Sequence, residues 1–271
     1  MLDKLKEATG LDIYPKSVVE ATEDLVLFMA RKGTDKFVGV WGPGCWEGLE
    51  EVAVVDDKCV CVGPCDHTAA EKVREILPWT APKCIGLGTS AGLGDRLGLA
   101  TPGHIRAIRE KGKGKITPIL AQQSIREMTR TERTPQQVMD CATFGVLQEG
   151  YRDGFGSDAD HLQQPEDIDS TYAAGFTMFT IDPGLHVVNE ADEMVHDQLA
   201  DEYGKLDFDL LDIDPAKLKV LYVGKVFELK GGLTVDFNED TFLRGMVKYG
   251  KAIAHTVKMY RHLESIADRD F

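Results

Sequence analysis

Between residues 154 and 162 the sequence reads GFGSDADHL, placing Asp158, Asp160 and His161 within four positions behind a short glycine-rich run. Adjacent Asp and His side chains on a turn can address one cavity from neighbouring directions. A ring nitrogen of His161 can ligate a divalent metal ion, while Asp160 accepts a proton with a basicity set by its distance from that ion. The competing reading is a polar turn in which the carboxylates cap a helix starting near Pro165 and His161 is solvated. Spacing alone leaves both open.

Other polar residues fall at equivalent places, where an apolar run gives way to a turn: Asp95 and Arg96; Gln122, Gln123, Ser124 and Glu127; Asp182 and His186. Acids, amides, histidines and an arginine converging on one rim supply the directed hydrogen bonds and charge that a small polar substrate needs. The glycine-dense GLGTSAGLGDRLG, residues 86 to 98, departs from a dinucleotide turn because a second Gly-Asp-Arg segment precedes the helix. It reads better as a substrate loop with Arg96 as its cation. Asp182 in IDPGLH sits in a strong turn former, which gives it an equally good structural role. His104 opens a helix and faces the rim or solvent. His255 and His262 read as structural.

These residues need strands to position them. From Cys84 the chain repeats an apolar run, a polar or glycine-rich turn and a helix: CIGLG before TPGHIRAIREKG, ITPILAQQS before TPQQVMDCATFGVLQEG, YRDGFGSDADHL before QPEDIDSTYAAG, and FTMFTIDPG before an acidic helical stretch. Thr101 and Thr134 stand as natural N-caps before Pro102 and Pro135. Such alternation predicts a parallel sheet covered by helices, with chemistry at the C-terminal strand ends. Residues 1–80 predict an α+β cap segment, with strands in FVGVWG, VAVVDD and KCVCVG and a helix over Ala69 to Leu77. Residues 81–271 predict the (β/α) portion, carrying a β-hairpin insertion near 218–237. The final helix, from Glu239 to about Ala267, sets Phe242, Met246, Tyr249, Ile253 and Val257 on one face. The expected fold class is α/β, with TIM-barrel-like (β/α) units making a partial barrel, since four units are half of eight.

Of the 271 residues 43% are apolar, enough to fill a real core. With 45 acids against 31 bases and a formal charge of -14, nucleic acid is a poor partner, and an anionic substrate must be met by a local cation. Apolar stretches such as LVLFMA and VLYVGKVF fall far short of the roughly 20 residues a membrane span needs. The N-terminus lacks the apolar centre of a secretory signal, so a cytoplasmic location is expected. The six cysteines are then expected as reduced thiols. CVCVGPCDH offers Cys59, Cys61, Cys65 and His67 as soft ligands for zinc, but alternation sends Cys59 and Cys61 to one strand face, where they read as small buried hydrophobes.

GLGDRLGLATPGHIRAI, QSIREMTRT, GFGSDADHL and GFTMFTIDPG, in this order, resemble the tagaturonate epimerases, which interconvert D-tagaturonate and D-fructuronate in hexuronate catabolism. The resemblance runs from about Gly86 to Phe271. It implies a cytoplasmic, divalent-metal-dependent isomerase on a TIM-barrel-like scaffold, acting on a small sugar acid. Asp160 and His161 match the motif associated with the proton acceptor and a metal ligand. Gln122, Ser124, Glu127 and Asp158 would line the substrate site, with Arg96 meeting the carboxylate. Family members are considerably longer, so further metal ligands and a second acid/base residue are expected outside this sequence, and self-association or a partner chain would complete the barrel. The alternatives are a non-catalytic half-barrel that needs a partner, and an NAD-dependent sugar-acid oxidoreductase.

Overall fold

The protein is described by a computed structural model that covers residues 1–271. Its contacts divide the chain into two compact units: 1–162 with 166–180 and 269–271, and 163–165 with 181–268.

The first unit opens with helix α1 (Leu2–Thr9) and strands β1 (Asp12–Ile13), β2 (Val19–Thr22), β3 (Leu25–Lys32), β4 (Asp35–Gly42), β5 (Glu50–Val55) and β6 (Lys58–Pro64), followed by helix α2 (His67–Ile76). The strands form an antiparallel sheet in the order β1-β3-β4-β6-β5, with β2 on β3. Period-2 alternation gives this sheet two apolar faces. Leu27, Met29, Val38, Val40 and Cys61 pack with Ala70 and Val73 of α2, while Phe28, Ala30 and Val60 pack with Leu5 of α1. Position 39 must be glycine, because a Cβ there would lie 2.2 Å from the Phe28 ring. Cys59 and Cys61 do share the first face. The expectation of six reduced thiols fails at one pair, since Cys45 is disulfide-bonded to Cys61 across a 16-residue separation. The segment after β4 turns back over the inward face of β6, bringing the two Cα atoms to 5.6 Å.

The same unit continues with β7 (Ser90–Gly92), α3 (Thr101–Ala107), β8 (Thr117–Ser124), α4 (Ile125–Thr131), α5 (Pro135–Glu149), β9 (Gly156–Leu162), α6 (Pro165–Ala173) and β10 (Met178–Ile181). A second sheet runs β10-β9-β8-β7, with β7 parallel to β8 and β8 parallel to β9. The fold is mixed α/β, as expected. Two local readings change. CIGLG is not a strand; the first strand of this sheet is the short β7. Thr101 is not an N-cap, because Asp95 takes that duty from six residues upstream: its carboxylate accepts from the backbone N–H of Leu99, Ala100 and Thr101 at 2.8–3.0 Å. Thr134 does cap α5, in a reciprocal capping box with Gln137.

The second unit contains α7 (His196–Tyr203), α8 (Pro215–Tyr222), an antiparallel hairpin of β11 (Lys225–Glu228) and β12 (Thr234–Phe237), and the long α9 (Glu239–Ile266). The hairpin is present, but α8 occupies the first part of the expected insertion. Asn238 caps α9 through Thr241. Phe242, Leu243 and Val247 of α9 pack with Leu199 and Leu218. The expected α9 face holds at Phe242 but not at Tyr249 and Ile253, which are 48% and 49% exposed. A helix with apolar residues at i and i+1 admits two stripes one position apart, and the stripe through Leu243, Val247 and Gly250 is the one buried. No helix is long and apolar enough to cross a membrane.

Candidate functional site

GFGSDADHL is a strand, not a turn: β9 carries Asp158 within its buried length and Asp160 and His161 near its end. The chain makes a row of side chains across the second sheet at this level. On β8, Gln122 stands opposite Asp158 and donates Nε2–H to Asp158 Oδ2 at 3.0 Å. On β10, Thr180 donates its hydroxyl to Asp158 Oδ1 at 2.8 Å. On β7, Gly92 leaves room for the Gln122 amide, which an added Cβ would approach to 2.6 Å. Burial raises the Asp158 carboxyl above its ordinary value and the Asp160 carboxylate adds to this, against the lowering effect of its two donors.

Two residues further along, Ser124 stands opposite Asp160. Ser124 is buried and caps α4 by accepting from the Glu127 backbone N–H at 3.2 Å. That cap ends the strand and turns Glu127 toward the loop that carries Arg96, and the two side chains form an ion pair. Burial pushes the Glu127 carboxyl up, but Arg96 and the Ser124 backbone amide outweigh it and leave it below its usual value. Asp95 shows the same balance: burial is outweighed by three backbone donors and the Thr101 hydroxyl.

These residues enclose a cavity of about 560 Å³ lined by Asp95, Arg96, Gln122, Gln123, Glu127 and Asp160 with Gly94, Leu97, Leu99 and Ala100. Arg96 is the one cation in that lining. The volume suits a small polar ligand. Asp160 presents to the cavity a carboxylate that is 22% exposed.

His161 has a φ of 58°, a left-handed conformation uncommon for a residue other than glycine, near the end of β9. Its Nδ1 lies 2.7 Å from Asp160 Oδ1, which fixes the ring against the carboxylate and leaves Nε2 for another partner. No group of three His, Cys, Asp or Glu side chains in the chain could hold a metal ion, so the residues present do not assemble a metal centre by themselves. The same fact and the Cys45–Cys61 disulfide remove zinc at Cys59, Cys61, Cys65 and His67.

Arg96, Gln122, Glu127 and Asp160 of the expected site thus share one cavity. Asp158 lies beneath it, Ser124 acts as a cap, and His161 sits beside Asp160. Asp182 and His186 belong to the second unit, where Asp182 accepts from Gly184 N–H and Gln163, and His186 stacks on His255. Gly92 and Thr180 escaped the sequence reading, although each sits on a strand of the repeat, Gly92 against the Gln122 amide and Thr180 hydrogen-bonded to Asp158. Arg133 also escaped it. This residue donates to Asp95 O at 2.8 Å and to Gln123 Oε1 at 2.7 Å, joining the loop to β8.

The family described as tagaturonate epimerase, UxaE, matches residues 14–271. The tagaturonate/fructuronate epimerase of Thermotoga maritima is 37% identical over 265 residues, which are 97% of this chain and 53% of that protein. Two crystal structures of the fructuronate-tagaturonate epimerase UxaE from Cohnella laeviribosi, one with glycerol and one native, are similar, with TM-scores of 0.83 and 0.82, each at 31% identity over 99% of this chain and 53% of theirs. The chain spans about half the length of these relatives. Since the family match covers nearly the whole sequence and includes every residue of the cavity, the chain belongs to the tagaturonate epimerase family.

Proposed function

We propose that the chain carries the proton-accepting part of an epimerase that interconverts D-tagaturonate and D-fructuronate, on a portion of a (β/α) barrel. The observation that supports this reading is the cavity whose lining brings the Asp160 carboxylate and the Arg96 guanidinium together. The relatives' names supply the substrate.

The centre that inverts lies β to the substrate ketone, so removing and returning an α-proton cannot invert it. Asp160 takes the proton of the hydroxyl on that carbon as the bond to the α-carbon breaks. The bond's electron pair passes to the ketone, giving an enediolate and an aldehyde. After the aldehyde rotates, the bond re-forms on its other face and Asp160 returns the proton. Arg96 holds the carboxylate, exchanging Glu127 for it, and Gln122 and Glu127 line the remainder. Asp158 fixes Gln122 from below and Ser124 fixes Glu127.

The divalent cation of the family resemblance fits only in part, because His161 is one donor and the chain gathers no set of three. We assign His161 as a single ligand and route no step through the ion. The test is D-tagaturonate epimerisation by this chain and by the longer Thermotoga maritima relative, each with Asp160→Asn or the matching change. Unaltered turnover in the substituted proteins overturns the assignment.

A further inference from the structure

We propose that a second cavity of the first unit is an oxyanion site that takes a phosphate monoester. This inference does not depend on the epimerase reading. The cavity measures about 780 Å³ and opens where the end of β6 and the start of α2 face the junction of α4 and α5. Three side-chain cations line it: Lys36, Arg96 and Arg133.

Two of the three have no carboxylate partner, while Arg96 pairs with Glu127. Arg133 is held entirely by neutral acceptors, Asp95 O, Gln123 Oε1 and Gln137 O, so its guanidinium is fixed without a carboxylate to neutralise it. Lys36 forms no ion pair, and it is close enough to Cys65 to pull against the burial that pushes that thiol up to about 12. Of the three acids in the lining, two are engaged with other partners and one is exposed. Asp140 accepts from Arg74 and Gln136 and pairs with His67, Asp66 caps α2, and Glu132 faces solvent.

A protein of formal charge -14 that sets Lys36 and Arg133, neither with a carboxylate partner, beside Arg96 in one concave space offers an anion a local cationic cluster. The first turns of α2 and α5 line the same space and add partial positive charge. Three cations match a dianion better than a single carboxylate, which selects a phosphate monoester. Leu97 and Phe144 supply an apolar wall for the body of the ligand. Arg96 lines both cavities, so an anion bound here draws on the guanidinium that otherwise pairs with Glu127.

The experiment is calorimetric titration of this chain with inorganic phosphate, a hexose monophosphate and, as a carboxylate control, glucuronate, repeated with Lys36→Gln. Lys36 has no partner to lose, and an unchanged Tm without ligand verifies that the variant folds. Saturable binding of phosphate and the hexose monophosphate, weakened about tenfold by Lys36→Gln, is expected. The proposal is overturned by an absence of saturable binding, by unchanged affinity in the folded variant, or by glucuronate binding as tightly with the same dependence on Lys36.

Discussion

Gln122 Nε2 donates to Asp158 Oδ2 at 3.0 Å across two parallel strands on which the two residues stand in register. Thr180 donates to the other oxygen of the same carboxyl, so Asp158 is the acceptor for both neighbours and the Gln122 amide has one orientation. Gly92 completes the row by leaving the space the amide occupies. A local substitution can therefore change the floor of the cavity without touching the core.

Gly92→Ala tests this. The added methyl meets the end of the flexible Gln122 side chain, not backbone, so stability should fall by about 1 kcal/mol or less. Displacing the amide from Asp158 should nonetheless lower epimerisation markedly. Thermal unfolding and turnover measured on the same preparation separate the two effects, and a variant that keeps full turnover would show that the row has no part in the reaction.

Asp160→Asn preserves shape and removes the carboxylate proposed as the proton acceptor. Epimerisation should drop by roughly 10²–10⁴-fold, with Tm nearly unchanged because the side chain is partly solvated. Equal losses of Tm and rate would instead point to a structural duty.

Arg96→Lys keeps a charge but loses the planar fork. On the proposal that Arg96 holds the substrate carboxylate in the ground state and the transition state alike, KM should rise about tenfold while kcat changes little. Should kcat fall and KM stay, Arg96 acts on the reacting centre and not on the carboxylate.

Glu149 governs part of the acid response. Its side chain is 3% exposed and meets Arg106 at 2.6 Å and Lys16 at 3.3 Å. Burial pushes its carboxyl up, but these cations outweigh it and hold it below its ordinary value. A depressed folded-state pKa means the unfolded chain binds the proton more readily. The associated stability is present above about pH 4.5 and is lost as pH falls through the folded value. Glu149→Gln should cost about 2 kcal/mol at neutral pH, less than a fully buried pair, because Arg106 and Lys16 are each 60% exposed. The gap between wild type and variant in a Tm series should narrow below pH 4.5, and a constant gap would contradict the linkage.

The disulfide predicts a thiol count. Cys59, Cys65, Cys84 and Cys141 are free and Cys45 and Cys61 are bonded, so denatured, non-reduced protein should titrate four thiols and reduced protein six. Six before reduction would place Cys45 and Cys61 in the thiol state. Closing a loop of this length stabilises by about 3 kcal/mol in the chain-entropy account, which Cys45→Ser would reveal as a lowered Tm.

Much of this arrangement was legible in the sequence because the repeat of apolar run, turn and helix fixes which end of each strand carries polar residues. Arg96, Gln122, Glu127 and Asp160 meet in one cavity for that reason. What escaped depends on relations between strands. Nothing in FTMFTIDPG marks Thr180 as the partner of Asp158, since the register of adjacent strands is set by packing and not by either strand's own pattern. Ser124 and Asp95 looked like ligands for a substrate because capping uses the same oxygens and the same places at helix starts. Cys45 and Cys61 lie in a long apolar and turn-rich stretch whose path, and not its composition, brings them together.

The duties of Asp95 and Arg133 combine into a clasp. Asp95 ties its carboxylate to the first turn of α3, and Arg133 grips the Asp95 carbonyl together with Gln123 of β8. The loop between β7 and α3 is thereby riveted at both its side-chain and main-chain oxygens, and swinging it outward would mean unpicking a helix start. The wall of the cavity is a fixed jaw, and the Arg96 side chain, 70% exposed, is the part of it least held by the backbone clasp.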